Sequence, residues 1–382
     1  TAQVALSVLL LATAGLFVRS LEALKAGDSF PQASSVALFT MKPQRELYTA
    51  KHRRDLADEV LRRMALLPGV KSVGLAENGP LGSRTGVDEV QASGSESGAQ
   101  PIRVEFDRVS SGYFAAIGIP LIQGRDFSAA DRPGAPTVVI INDALAHELF
   151  KEQDPLGRKI RRVGEGPDSE CEVVGVVKAT RYYDLHLDPQ PAIYTTTRQD
   201  APYMPTLHVR AESDRTALVI AEVRAEFDAI DKNFPVFNIR TLQDRVDDSL
   251  ASERLVGQLA GGFGALALVL ASIGIYGIMA YSVTGRRREI GVRMALGGSS
   301  KSVLGMILKE GMLLVLAGIA IGSPAAVGAG RIASRIMPGL ARVDPVTLIS
   351  APLIMAAVAL LAALIPARRA VRVNPTIALR NE

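Results

Sequence analysis

The chain has little of what enzymes and secreted scaffolds depend on. It holds one cysteine, Cys171, in 382 residues. No internal disulfide can form, and the apolar run CEVVGVV around it reads as the setting of a buried structural thiol. Only four histidines are present, at positions 52, 147, 186 and 208, and they are scattered. His147-Glu148 lacks a second histidine four residues on, which excludes a zincin helix. SGSESG carries Glu96 where a hydrolase elbow needs serine. LGGSSKS looks like a phosphate loop, but Ser300 stands where glycine must precede Lys301, and no strand leads in. Asp184, His186 and Asp188 gather just before Pro189 and read as a solvated turn. No catalytic, cofactor or metal constellation follows from these residues.

Charge is missing too, over long stretches. Leu255–Gly285 contains no Asp, Glu, Lys or Arg in 31 residues. The chain is 48% hydrophobic, with mean hydropathy +0.20, above the usual soluble value. Four stretches are apolar enough to be membrane helices: Ala2–Val18, Leu255–Val283, Gly311–Gly330 and Pro345–Ala367. About 20 apolar residues cross a bilayer as a helix, so the last three qualify outright and the first is slightly short. The first lacks a basic leader and reads as a retained helix, not a cleaved signal. Leu255–Gly285 and Pro345–Ala367 offer only Tyr276 and Tyr281 as ionisable groups, where ion-coupled carriers place carboxylates, His or Lys. Lys309 and Glu310 read as an interfacial pair at the entrance of the third helix. Small residues are plentiful, and Gly257/Gly261 and Gly318/Gly322 form GxxxG pairs that permit close helix packing.

The charges that are present are unevenly placed. Residues 255–382 carry 13 Lys/Arg against 4 Asp/Glu, a net +9, whereas residues 1–254 carry 30 against 35, a net −5. The large polar part is therefore a poor polyanion binder, and no nucleic-acid partner is expected. Arg286, Arg287, Arg288, Arg293 and Lys301, with Arg368, Arg369, Arg372 and Arg380 in the tail, outnumber Arg331, Arg335 and Arg342 between the last two helices. This asymmetry puts 285–302 and both termini in the cytoplasm and the domain 19–253 outside.

That outer region alternates strands and helices. SVALFT, VKSVGLA, IRVEFDRVS, TVVIIN, CEVVGVV, AIYTTT, TLHVRA and VFNIR read as strands. Glu46–Leu67, SSGYFAAIG with serine caps, DALAHELF capped near Asn142 or Asp143, and Asp214–Ile230 read as helices. Residues 79–101 read as a Gly/Ser-rich loop. The order indicates an α+β domain of two subdomains inserted between helices 1 and 2 of a four-helix membrane protein. Leu242–Ser252 is expected to run unbroken into the second membrane helix.

The stretch GRRREIGVRMALGGSSKS follows that helix. Ile290 and Met294 fall at i, i+4, and Glu289 and Arg293 form an i, i+4 acid-to-base pair beside them. Gly297-Gly298 stops the segment, and Ser299 or Ser300 can cap the next helix. REIGVRMALGGSSKSVL, IGIYGIMAYSVTGR and PARRAVRVNPTIALRNE resemble FtsX/MacB-like ABC permeases, and YFAAIGIPLIQGRDFSAAD, VVIINDALAHELFKEQDPLGRKI and EVVGVV are similar to the MacB-type periplasmic core. The resemblance implies an FtsX-like permease region over 254–382, with helices about 255–284, 304–330 and 346–366. It implies that Arg288, Glu289, Ile290, Gly291, Arg293, Met294, Leu296 and Gly297 couple to a separate cytoplasmic ATPase that carries the ATP-Mg. It also implies a second permease copy, a possible periplasmic adaptor, and either export or, as in cell-division FtsX proteins, control of an extracytoplasmic enzyme. The opening TAQVALSVLLLATAGLFVRSLEAL is closest in wording to the middle of duplicated permeases, so the expectation is the C-terminal half of such a chain.

Overall fold

The computed structural model describes residues 1–26, 30–41, 49–82, 86–93, 100–163, 170–200, 205–230, 235–286, 289, 292, 299–336 and 345–371. They fall into two compact units, one of residues 1–26 with 250–382 and one of residues 27–249.

The first unit is four membrane-length apolar helices: α1 (Ala2–Ala26), α7 (Ala251–Gly285), α8 (Ser300–Ile336) and α9 (Pro345–Val371). Each runs past the apolar stretch legible in the sequence; α9 continues through Pro366, and α1 continues past Val18 to Ala26. One core cluster joins Val4 and Val8 of α1, Ala271 of α7, Val315 of α8, and Met355 and Ala359 of α9. A second joins Met279, Val283, Val303, Ile307, Ala363 and Ala367. The alanines at 271, 359, 363 and 367 let the helices approach. Leu259, Phe263, Ile273, Leu313, Ile321, Leu353 and Leu361 are exposed, as side chains facing lipid are.

The second unit has two parts. In the first, β1 (Val36–Met41), α2 (Ala50–Met64), β2 (Val70–Ala76), β10 (Thr206–Ala211), α5 (Thr216–Ile230) and β11 (Val236–Thr241) make an antiparallel sheet of order β11-β1-β10-β2. This is a βαββαβ unit interrupted between β2 and β10. Phe39, Leu75, Leu207 and Val209 of the sheet bury against Val60 and Met64 of α2 and Val219, Val223 and Phe227 of α5. The α2 spacing of Leu56, Val60 and Met64 supplies the inward stripe, and the Thr49 hydroxyl accepts the His52 N–H at 3.3 Å to start the helix.

The interruption is the second part. It comprises β3 (Gly86–Ala92), β4 (Ile102–Val109), α3 (Tyr113–Ile117), β5 (Leu121–Gly124), β6 (Val138–Asn142), α4 (Asp143–Phe150), β7 (Lys159–Arg162), β8 (Glu170–Val177) and β9 (Ala192–Thr196). Pairing runs β4-β3-β7-β8-β6-β9 and returns from β9 to β4, so six strands close on themselves. Val90, Val104, Phe106, Val139, Ile141, Ile160, Cys171, Val173 and Ile193 fill one face with α4, while Val138, Ile140 and Tyr194 turn to the other beneath α3. The parts meet where Ala76 of β2 pairs with Val109 of β4.

Four local expectations need correction. Residues 86–92, read as loop, form β3, because Val90 turns into the barrel while Val87 stays exposed. The serines before α3 do not cap it: Gly112 is the N-cap, its N–H goes to Asp126 at 2.9 Å, and the Ser110 hydroxyl accepts the Leu75 N–H at 2.8 Å. The second helix boundary is also different. Helix α6 (Leu242–Ser249) ends before α7, and Leu250 between them has φ −101° and ψ 8°, outside the helical basin. Helix α2 begins at Ala50, since Thr49 is extended and acts as its cap.

Candidate functional site

The residues singled out for docking a partner lie between α7 and α8. Arg288, Ile290, Gly291, Arg293, Met294, Leu296 and Gly297 fall outside the described residues. Glu289 and Val292 are helical and exposed. On either side, Arg286 at the end of α7 meets the Glu310 carboxylate of α8 at 3.1 Å, and Arg369 of α9 donates to the Tyr276 hydroxyl at 3.3 Å. Ser299 caps α8, its hydroxyl accepting the Ser302 N–H at 3.3 Å. These contacts tie the ends of three helices beside the segment.

The glycine pairs differ in what they touch. A Cβ at Gly318 would stand 2.6 Å from the Val4 side chain, and one at Gly322 would stand 2.7 Å from the Ala5 carbonyl oxygen. Gly318 thus faces a side chain of α1, whereas Gly322 faces its backbone. At Gly257 the nearest atom is Phe17 Cβ at 3.7 Å, while Gly261 has nothing within 4 Å. Gly261 is therefore not a close-packing position within this chain. Sequence spacing missed Gly264 and Gly15, whose added Cβ atoms would meet Leu11 at 3.3 Å and Thr347 at 2.6 Å. Ser7, fully buried, bridges the same interface by donating to the Ala267 carbonyl at 3.1 Å.

The outer unit contains a buried polar cluster that sequence reasoning did not find. Asp107 on β4 is fully buried and accepts from the N–H groups of Asn78, Gly79 and Arg108 at 3.1, 2.9 and 2.8 Å, and from the Tyr182 hydroxyl at 2.8 Å. Burial pushes its carboxyl up to about 6, while these four donors pull it back down. Tyr182 is hydrogen-bonded in turn to Tyr113. His208 on β10 stacks edge-on to Tyr113 at 5.1 Å and faces the Thr206 carbonyl through Nδ1 at 3.0 Å. Burial, with Arg245 nearby, lowers it to about 3, so it stays neutral. Arg245 on α6 is 7% exposed and donates through Nη1 to the carbonyls of Asn78 and Pro80 at 3.3 and 3.1 Å. No sequence signal singled out Asp107, because IRVEFDRV carries two acids and two arginines in alternation with apolar residues, and Arg245 in LQDRVDDS looks like any surface charge.

Other sequence candidates resolve locally. Asn142, not Asp143, caps α4: its Oδ1 accepts from Leu145 at 2.9 Å and Ala192 at 3.0 Å, and its amide donates to Gln190. Asp184 accepts the His186 N–H and faces its Nδ1, both at 2.8 Å, and Asp188 is 97% exposed. Among the described residues no group of three His, Cys, Asp or Glu could hold a metal. A cleft of about 820 Å³ opens between α3, β5 and the loop after β8, with Phe114, Ile119, Pro120 and Leu121 as apolar walls and Asp126 and Lys178 at its edge.

These features define a polytopic membrane protein with its largest folded unit inserted between the first and second spans. The MacB-like periplasmic core domain matches residues 4–226, and the FtsX-like permease C-terminal domain matches residues 261–375. The chain belongs to the ABC-transporter permeases that combine these two domains. The macrolide export ATP-binding/permease protein MacB of Azoarcus sp. is 29% identical over 295 residues, 73% of this chain and 43% of that protein. The uncharacterized ABC transporter permease YvrN of Bacillus subtilis is 26% identical over 290 residues, 72% of this chain and 69% of that protein. The matched stretch spans about two-fifths of the MacB relatives. The crystal structure of the periplasmic region of MacB from Actinobacillus actinomycetemcomitans, 14% identical, aligns with 57% of this chain and 94% of its own at a TM-score of 0.37, too low to assign a fold.

Proposed function

We propose that this chain is the permease component of a MacB/FtsX-like ABC system and couples ATP hydrolysis on a separate cytoplasmic ATPase to movement of its outer unit. The adjacency of the two domain matches, covering both units of the fold, supports this reading most directly. The chain itself would hold no cofactor; ATP-Mg belongs to the partner. Two permease copies, separate or fused, would act together, with an adaptor on the outer side. Segment 285–302 and both termini would lie on the cytoplasmic side of the inner membrane. Related proteins bear names for macrolide and pyoverdine export, which favours export over control of an extracytoplasmic enzyme.

On this reading Ile290 and Met294 enter the ATPase contact, with Glu289 and Arg293 at its rim. Met294→Asp would place a charge in an apolar contact and cost roughly 2–4 kcal/mol at a hot spot. Co-purification of the ATPase is expected to fall while the outer unit stays folded by limited proteolysis. Undiminished ATPase recovery would show that the segment only orients the chain.

A further inference from the structure

Arg245 is a buried cation on an eight-residue helix, which calls for a specific purpose. Its guanidinium points at the loop after β2, where it takes the carbonyls of Asn78 and Pro80. The N–H groups of Asn78 and Gly79 turn the other way, to Asp107 on β4. The peptide group between Asn78 and Gly79 is thus clamped between a buried cation on α6 and a buried anion on the barrel. Its dipole points the oxygen at the cation and the N–H at the anion, while the Asn78 N–H adds a second donor to Asp107 and the Pro80 carbonyl a second acceptor to Arg245, which lowers the cost of burying both charges.

The clamp admits no slack. Gly79 has φ +68°, and a Cβ there would stand 2.6 Å from His208 Nε2 and 3.3 Å from Arg245 Nη1. Only glycine lets the loop pass between β10 and α6. Helix α6 is held at its start as well: Leu242 is fully buried, Thr241 and Asp244 cap each other at 2.8 and 3.1 Å, and Arg240 of β11 pairs with Asp248 at 2.8 Å. One short helix is therefore fastened to the sheet, to the loop and, through the loop, to the barrel.

The next element in the chain is α7, the second membrane helix, beyond the break at Leu250. A broken helix does not carry torque as a rod. Displacement that reaches α6 passes onward through its backbone junction with β11 into the sheet and, toward the barrel, through the Arg245 attachment to the loop after β2.

We propose that Arg245 is a positioning residue that latches α6 to the meeting point of the two parts of the outer unit, and that this latch transmits displacement of α7 into that unit. The latch rests on the ATP-coupled reading given above. Asp107 is its fixed end and Gly79 its passage.

The test uses the full chain purified in complex with its ATPase, compared by hydrogen exchange with and without ATP. Arg245→Gln is expected to speed exchange of residues 77–82 and 242–249 by about tenfold, the loss of a charge-assisted hydrogen bond, with β6 unchanged. The ATP-dependent change in exchange of the barrel strands disappears in this variant while ATP turnover persists. Arg245→Lys, which keeps the charge, restores part of both. Arg125→Gln, which breaks the 2.8 Å pair with Asp131 elsewhere in the unit, leaves the ATP response intact. Exchange of 77–82 within about twofold of wild type, or an ATP response that survives Arg245→Gln, overturns the latch. If Arg245→Gln also loosens β6, Arg245→Lys decides: an unaltered ATP response in it overturns the proposal, and a reduced one supports it. A wild-type complex with no ATP response anywhere in 27–249 overturns the ATP-coupled reading itself, and the attachment is then judged from the ATP-free exchange alone.

Discussion

Glu105 and Asp107 stand two positions apart on β4 with opposite provisions. Asp107 has four donors, whereas Glu105 Oε2 is buried with no hydrogen-bond partner among the described residues. Burial, and then the Asp184 charge, push Glu105 up to about 7. A carboxyl that holds its proton more tightly when folded adds stability at low pH and loses it as pH rises through its folded value. Stability of the outer unit is thus expected to decline between about pH 5 and 8 as Glu105 ionises. Glu105→Gln keeps the shape without the charge. It is expected to raise the melting temperature at pH 8 and flatten the slope, measured by circular dichroism of the full chain in detergent. An unaltered slope would remove Glu105 as its source.

Among the elements, α1 has the most demanding surroundings. It meets α7 through Leu11 and Phe17, α8 through Val4, Ala5 and Val8, and α9 through Gly15. At Gly322 an added methyl would run into the Ala5 backbone, which cannot turn aside as a side chain can. Gly322→Ala is expected to cost about 1–3 kcal/mol, as overpacking does. Gly261→Ala meets open space within the chain and should change stability by about 0.5 kcal/mol or less. Unfolding in mixed micelles titrated with dodecyl sulfate compares the two. Equal effects would mean that α1–α8 contact is not what restrains Gly322.

For the molecule as a whole, orientation is expected to follow from charge. The nine basic residues at 286–301 and 368–380 against three at 331–342 would put Ser299 inside and the unit 27–249 outside. In a Cys171→Ser background, Gln153→Cys should react with an impermeant maleimide in intact cells, and Ser299→Cys only after permeabilisation. The reverse pattern would invert the topology.

Sequence alone determined the number of apolar helices, the insertion of an α+β domain after the first, and most strands and helices of that domain. Those features are written in local periodicity and in runs without charge, which neighbouring residues carry together. It did not show β3, β5 or β7: β5 and β7 have only four residues each, and none of the three buries more than one residue, so their signal is pairing with distant strands rather than their own pattern. Nor did it separate Gly322 from Gly261, since identical spacing says nothing about which face meets a neighbour. Residues 79, 107, 182, 208 and 245 are far apart in the chain, and only the tertiary fold gathers them. A buried charge is recognisable by what surrounds it, and the surroundings of Arg245 come from a loop more than 160 positions away.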